Sequence, residues 1–172
     1  SNVDKQNELT PFNPQSPYAI AKTFAYYTTR YYRETFGIHA STAIFYNHES
    51  PRRTPEYVTR KITQSVARIY LGKQKKLVLG DMSARIDWGY AKDYMKAAWL
   101  TLQHKEADDY VIGSGKAYSV RDFVDKAFSI VGLEADKYIE TSQEFMRPTK
   151  TSTLIADTSK AEKILNFKPE ID

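Results

Sequence analysis

Ser16-Pro17-Tyr18-Ala19-Ile20-Ala21-Lys22, running on to Phe36-Gly37, and then Ile38-His39-Ala40-Ser41-Thr42-Ala43-Ile44-Phe45-Tyr46, decide the class of this 172-residue chain. Ser16 is a favoured N-cap residue, and Pro17 suits the first helical position, where an N–H has no partner anyway. Ala21, Ala25, Thr28 and Tyr32 follow at helical spacing, and Gly37 is a stop signal. The pattern predicts a helix over 17–36. The β-branched and apolar run 38–46 reads as a buried strand, and the polar residues 47–55, with two prolines and two arginines, as a sharp loop.

The alternation continues along the chain. A second helix is expected over 57–71 with Val58, Ile62, Val66 and Ile69 facing inward, and a third over 90–104 with Ala91, Met95, Ala98 and Leu102 inward. A fourth runs 119–131, capped by Ser119 and stopped by Gly132, and a last one 158–165. Residues 76–79 and 110–112 read as short strands, with 137–140 and 155–156 as further extended pieces. Residues 1–16, 80–88 and 145–152 read as loops. Helices alternating with strands give an α/β class.

Composition narrows the chemistry. There is no cysteine, which excludes disulfides, thiolate zinc sites and a thiol nucleophile within these residues. Twenty-five Lys and Arg against 21 Asp and Glu leave a net charge of +4, scattered along the chain, which suits a small anionic ligand. No apolar run is long enough to span a bilayer, and the start has no signal-peptide core. No membrane partner is expected. Lys73-Gln74-Lys75-Lys76 is too short a basic run for a nucleic-acid site, so none is expected there either. His39 and His104 have no companions at metal spacing, and no metal site is assigned. An α/β chain of this kind ordinarily opens on a strand and a glycine-rich phosphate loop. This one has seven glycines and no such loop, since Gly113-Ser114-Gly115 lacks the third glycine and reads as a turn. Either no dinucleotide binds, or the part that cradles it lies outside these residues.

Three groups carry chemistry. Tyr18 and Lys22 stand at i, i+4 on one helical face, with small Ala19 and Ala21 between them. An ammonium beside a phenol favours phenolate, which makes an acid/base of a tyrosine; the competing reading is a chance pair on a solvated face. Asn47-His48-Glu49-Ser50-Pro51-Arg52-Arg53 directly follows a strand, where α/β proteins bind ligands, and forked guanidinium donors suit phosphate. The competing reading is a charged surface turn. Arg60-Lys61 and Arg147-Pro148 join Arg53 as a cationic wall only if the fold brings them together. The aromatic residues Phe24, Tyr26, Tyr27, Tyr31 and Tyr32 exceed what one buried helical face can hold, which leaves intradomain packing and a helical subunit contact both open.

These residues also resemble a known family. Ser16-Pro17-Tyr18-Ala19-Ile20-Ala21-Lys22 is similar to the Tyr-x-x-x-Lys segment of extended short-chain dehydrogenases/reductases. Phe45-Tyr46-Asn47-His48-Glu49-Ser50-Pro51-Arg52-Arg53, with Val58-Thr59-Arg60-Lys61-Ile62-Thr63, resembles the GDP-mannose 4,6-dehydratase family far more specifically. Asp87-Trp88-Gly89-Tyr90-Ala91-Lys92-Asp93-Tyr94, Phe145-Met146-Arg147-Pro148 and the closing 160–171 fit the same family, so the likeness covers nearly the whole chain.

The resemblance implies a partial Rossmann-type fold. Its parts would be the C-terminal part of the parallel sheet and a small α/β substrate-binding domain. Residues 16–47 would be the catalytic helix and strand of the Rossmann-type domain, and 48–172 mostly substrate domain interleaved with late Rossmann elements. It implies NADP as cofactor, with NAD as the alternative, and a GDP-hexose substrate. Tyr18 would take the proton of the sugar 4-hydroxyl as hydride leaves C4; the 4-ketone would acidify C5, a carboxylate would remove that proton, and water would leave from C6. Hydride would then return to C6. Lys22 would hold the nicotinamide ribose and favour the phenolate. His48 and Arg53 match cofactor-contacting positions. Asn47, Val58 and Lys61 match sugar-nucleotide positions, and Arg147 one near the diphosphate or ribose. The expected reaction is GDP-mannose to GDP-4-keto-6-deoxymannose by a hydro-lyase, cytoplasmic, and a homodimer or homotetramer when intact. The family's glycine loop and its Thr-x-Glu base segment fall before residue 1, so the chain reads as a carboxyl-terminal half, inactive alone. Two further departures touch the nucleotide-sugar pocket. Ile86 stands where the family has arginine, with Arg85 one place earlier, and Lys150 stands where it has glutamate. A dehydratase for another nucleotide sugar and a non-catalytic nucleotide-sugar-binding or interaction module are the alternatives.

Overall fold

The computed structural model describes residues 5–145 and 153–171. Its helices are α1 (Pro17–Phe36), α2 (Val58–Tyr70), α3 (Ala91–Gln103), α4 (Val120–Ile130) and α5 (Ser159–Leu165). Its strands are β1 (Thr42–Phe45), β2 (Asn47–Glu49), β3 (Leu77–Leu79), β4 (Arg85–Ile86), β5 (Trp88–Tyr90), β6 (Asp109–Ile112), β7 (Tyr118–Ser119) and β8 (Ile139–Thr141). The chain forms two compact units, one of Ser1–His48, Trp88–Lys116 and Ile155–Asp172, the other of Glu49–Asp87 and Ala117–Leu154.

In the first unit α1 forms as the sequence dictates. The Ser16 side chain accepts from the Ala19 N–H, Pro17 opens the helix, and Gly37 closes it at φ 64°, in the left-handed region. The face that packs inward differs from the expected one. Ala19, Thr23, Tyr26 and Arg33 are covered, whereas Ala21, Ala25 and Tyr32 are exposed. Arg33 and Tyr26 account for the rotation, because both reach Asp109 at the start of β6. β1 and β6 run parallel, Thr42 against Asp109 through Phe45 against Ile112. The strand expected over 38–46 is thus shorter, and half-buried rather than buried. β2, expected as loop, pairs with β5.

The core of this unit is Tyr94, Ala97, Tyr110, Ile112, Ala161, Leu165 and Phe167, with Ala43, Phe45, Tyr46 and Leu100 packed at its edge. α3 therefore buries Asp93, Tyr94, Ala97 and Thr101, and leaves the expected inward residues Met95 and Leu102 exposed. A register of one residue is a turn of about 100° around the helix. Polar residues occupy the inner face because partners are supplied. The Asp93 carboxylate accepts from the Glu170 and Ile171 N–H groups, both at 3.0 Å, and Thr101 Oγ1 donates to the Ala98 carbonyl. α5 ends on Asn166 at φ 51°, a left-handed position that asparagine tolerates, and the chain then inserts Phe167 into the core.

The second unit packs α2 against α4. Ile62, Val66 and Ile69 of α2 and Val120, Val124 and Phe128 of α4 are buried, while Val58 is half-buried. β3 and β8 pair in parallel, β4 and β7 antiparallel. α4 starts on a capping box, since Ser119 Oγ accepts from the Asp122 N–H and the Asp122 carboxylate accepts from the Ser119 N–H. No described helix is long and apolar enough to cross a membrane.

Candidate functional site

The Ser16 cap and Pro17 start α1 so that Tyr18 and Lys22 fall on its first turns, on an outward face. Tyr18 is 72% exposed, and Lys22 Nζ lies 5.5 Å from the centroid of its ring. The pair is therefore formed, with the phenol open to a ligand and the ammonium beside it.

Asn47 and His48 sit on β2, just beyond β1. Asn47 is exposed and His48 half-buried. His48 Nδ1 lies 3.0 Å from the Tyr46 carbonyl oxygen, which can only accept, so Nδ1 carries a proton. The imidazole rests against two aromatic rings, Tyr94 at 5.1 Å and Phe45 at 5.4 Å between centroids.

In the second unit Arg53, Val58 and Lys61 gather at the start of α2. Arg53 is held on two sides. Its Nε donates to Glu49 Oε2 at 3.1 Å, and its guanidinium carbon lies 3.5 Å over the Tyr57 ring. The same Glu49 oxygen accepts from Thr59 Oγ1 at 2.6 Å. Val58 is the first residue of the helix. Lys61, one turn on, holds its ammonium 3.7 Å from the Phe145 ring centroid. Burial pushes the Lys61 ammonium below its ordinary range, and the charge of Glu144 offsets part of that. Arg147 lies outside the described residues, as does Lys150. Arg85 donates to the Ala117 carbonyl at 2.6 Å, so its guanidinium is engaged with backbone within its own unit.

Each unit thus brings together its own share of the residues named from the sequence: Tyr18 with Lys22 and Asn47 with His48 in the first, Arg53 with Val58 and Lys61 in the second. The supports around them were not read from the sequence. The Glu49–Arg53 pair was within reach, because the two stand at i, i+4. Tyr94 beneath His48 was not, since only the fold brings them together. Among the described residues no His, Asp and Glu gather as a metal site.

The sequence model of the family described as GDP-mannose 4,6 dehydratase matches residues 1–172. GDP-mannose 4,6 dehydratase 1 of Arabidopsis thaliana is 45% identical over 171 residues, covering 99% of this chain and 47% of that protein. Among solved structures, RMD from Pseudomonas aeruginosa complexed with NADPH is 25% identical with a TM-score of 0.89, over 99% of this chain and 56% of that one. dTDP-glucose 4,6-dehydratase from Bacillus anthracis in complex with NAD shares the fold, with a TM-score of 0.86 at 22% identity, over 99% of this chain and 52% of that one. The fold is a partial Rossmann-type α/β fold, and the chain spans about half the length of the curated relatives it matches. With the family's sequence model matched across every residue and the Tyr-Lys pair formed on its helix, the chain belongs to the GDP-mannose 4,6 dehydratase family.

Proposed function

We propose that this chain supplies the proton-transfer pair and the sugar-nucleotide contacts of a GDP-mannose 4,6-dehydratase, a hydro-lyase forming GDP-4-keto-6-deoxymannose. The observation that carries the reading is Tyr18 exposed at the start of a capped helix with the Lys22 ammonium beside it, in a chain of this family. Tyr18 Oη takes the proton of the sugar 4-hydroxyl as general base, and the Lys22 ammonium stands beside it. Oxidation at C4 acidifies the neighbouring C5–H, which lets water leave across C5 and C6. NADP, with NAD as the alternative, supplies acceptance and return of the hydride when bound. Tyr18, Lys22, His48 and Arg53 are the residues that would hold it. They fit such a group by the chemistry of their donors: an ammonium, a guanidinium already fixed by Glu49 and Tyr57, and an imidazole with a set tautomer suit a polyanionic dinucleotide. Asn47, Val58, Lys61 and Arg147 are assigned to the GDP-hexose.

In this reading 16–47 belong to the dinucleotide domain and 48–172 mostly to the substrate domain, with late elements of the former interleaved. The intact enzyme is cytoplasmic and a homodimer or homotetramer. Another nucleotide sugar is the second reading, favoured by one observation: Ile86 occupies the arginine position, and the adjacent Arg85 is bound to the Ala117 carbonyl. Calorimetric titration with GDP-mannose, dTDP-glucose and CDP-glucose separates the two. GDP-mannose is expected to bind at least tenfold tighter than the others, and Lys61→Ala to weaken it. A preference for dTDP- or CDP-hexose would remove GDP-mannose as the substrate.

A further inference from the structure

His48 is held more firmly than a half-buried imidazole needs to be. One edge is tied by the Nδ1–H bond to the Tyr46 carbonyl at 3.0 Å. One face lies on Tyr94, 5.1 Å between centroids with the planes 31° apart. Phe45 closes the corner, 5.4 Å from both rings and steeply inclined to each, at 71° to His48 and 61° to Tyr94. Tyr94 itself is fully buried and belongs to the core with Ala97, Tyr110 and Ile112, so it is a fixed floor rather than a mobile neighbour. Gly89, on β5 just before α3, adds an independent sign. A Cβ there would stand 2.4 Å from Tyr94 Cε2 and 2.7 Å from its hydroxyl oxygen. Separations that short cannot persist, and a buried ring packed at interior density has no free direction in which to retreat.

We propose that Tyr94 is a positioning residue for His48, and that Gly89 leaves the space that lets it serve. The proposal rests on the reading of His48 as a cofactor-contacting residue, and adds how its imidazole is made ready. With Nδ1 protonated, the neutral ring keeps Nε2 as its acceptor, a single defined hydrogen-bonding character. Fixing that ring before a ligand arrives removes an ordering cost from binding. The tyrosine acts through its ring, by packing against the imidazole at a tilt, and is fully buried.

Long-range 15N–1H correlation NMR on the chain reads the tautomer of each neutral imidazole. A His48→Gln variant assigns the His48 signals among the three histidines. In the wild-type chain the Nδ1–H form of His48 dominates, against the Nε2–H form that a free imidazole side chain prefers. Gly89→Ala and Tyr94→Leu each bring the Nδ1–H share below half, and Tyr94→Phe, which keeps the ring, retains it. Dispersed amide signals of the buried core residues Ile112 and Phe167 show which variants are folded, and either of the first two suffices if the other does not fold. A His48 tautomer left unaltered by a folded Gly89→Ala or Tyr94→Leu chain overturns the proposal. NADP titration is the separate arm. In the enzyme that carries this chain, NADP affinity unchanged by His48→Gln removes the cofactor reading of His48, while Tyr94 stands as its positioning residue if the tautomer changes are seen.

Discussion

Asp109 shows how one residue sets the orientation of the helix that carries Tyr18 and Lys22. Arg33 donates to both of its oxygens, at 2.9 and 3.1 Å, and the Tyr26 hydroxyl donates at 2.9 Å. Arg33 also donates to the Ala40 carbonyl, so the guanidinium is satisfied on two sides. Burial pushes the Asp109 carboxyl up, but the hydrogen bonds from Arg33 and Tyr26 and the guanidinium charge outweigh it, and the group sits below the ordinary carboxylate range. Tyr26 moves the other way, raised by burial and then by its bond to Asp109. A carboxyl depressed in the folded state stabilises that state at pH values above its unfolded pKa of about 3.9, and the contribution is lost as pH falls through the lower folded value. Asp109→Asn, which leaves the part-buried Arg33 without its counter-charge, is expected to cost about 2 kcal/mol near neutral pH. Urea unfolding across pH checks this: the gap to wild type should shrink below about pH 4. An unchanged midpoint at neutral pH would show that the pair does not hold α1.

At the scale of elements, local signals were legible and facing was not. α1 was bounded correctly because its ends are written in Ser16, Pro17 and Gly37. α4 was found from Ser119 and Gly132 for the same reason. The inward face of α3 was misread by one residue, since the apolar spacing through Met95 and Leu102 competes with a second spacing through Tyr94, Ala97 and Thr101. Distant partners decide between them: the Glu170 and Ile171 N–H groups satisfy Asp93, and the core accepts Tyr94. β2 was missed because Asn47-His48-Glu49 has no apolar alternation; it is a strand through its pairing with β5. The capping box gives a test at this scale. Ser119→Ala removes the acceptor for the Asp122 N–H and is expected to cost about 1 kcal/mol by denaturant unfolding. Ser119→Asp, which restores an acceptor, should recover most of it.

For the molecule as a whole, the likeness in sequence covers every residue while the relatives extend to about twice its length. The site was legible to the extent that its residues lie in short runs. Tyr18-x-x-x-Lys22 and the stretch Asn47 to Arg53 could be quoted directly, whereas the rings under His48 and Lys61 come from far along the chain. The aromatic row on α1 divides as neither reading of the sequence alone could decide. Tyr26 packs inward, but Phe24 is 73% exposed and Tyr27 and Tyr31 are each 56% exposed. A contiguous apolar face of this kind favours association. Sedimentation is expected to find the chain self-associated, with Phe24→Lys and Tyr31→Lys together shifting it toward monomer; a monodisperse wild-type monomer would refute this.

Whether Tyr18 is the acid/base of a GDP-mannose 4,6-dehydratase is decided by steady-state turnover of GDP-mannose with Tyr18→Phe in the enzyme that carries this chain. A fall in kcat of about 10²–10⁴-fold is expected, with GDP-mannose affinity retained. Turnover equal to wild type would contradict it.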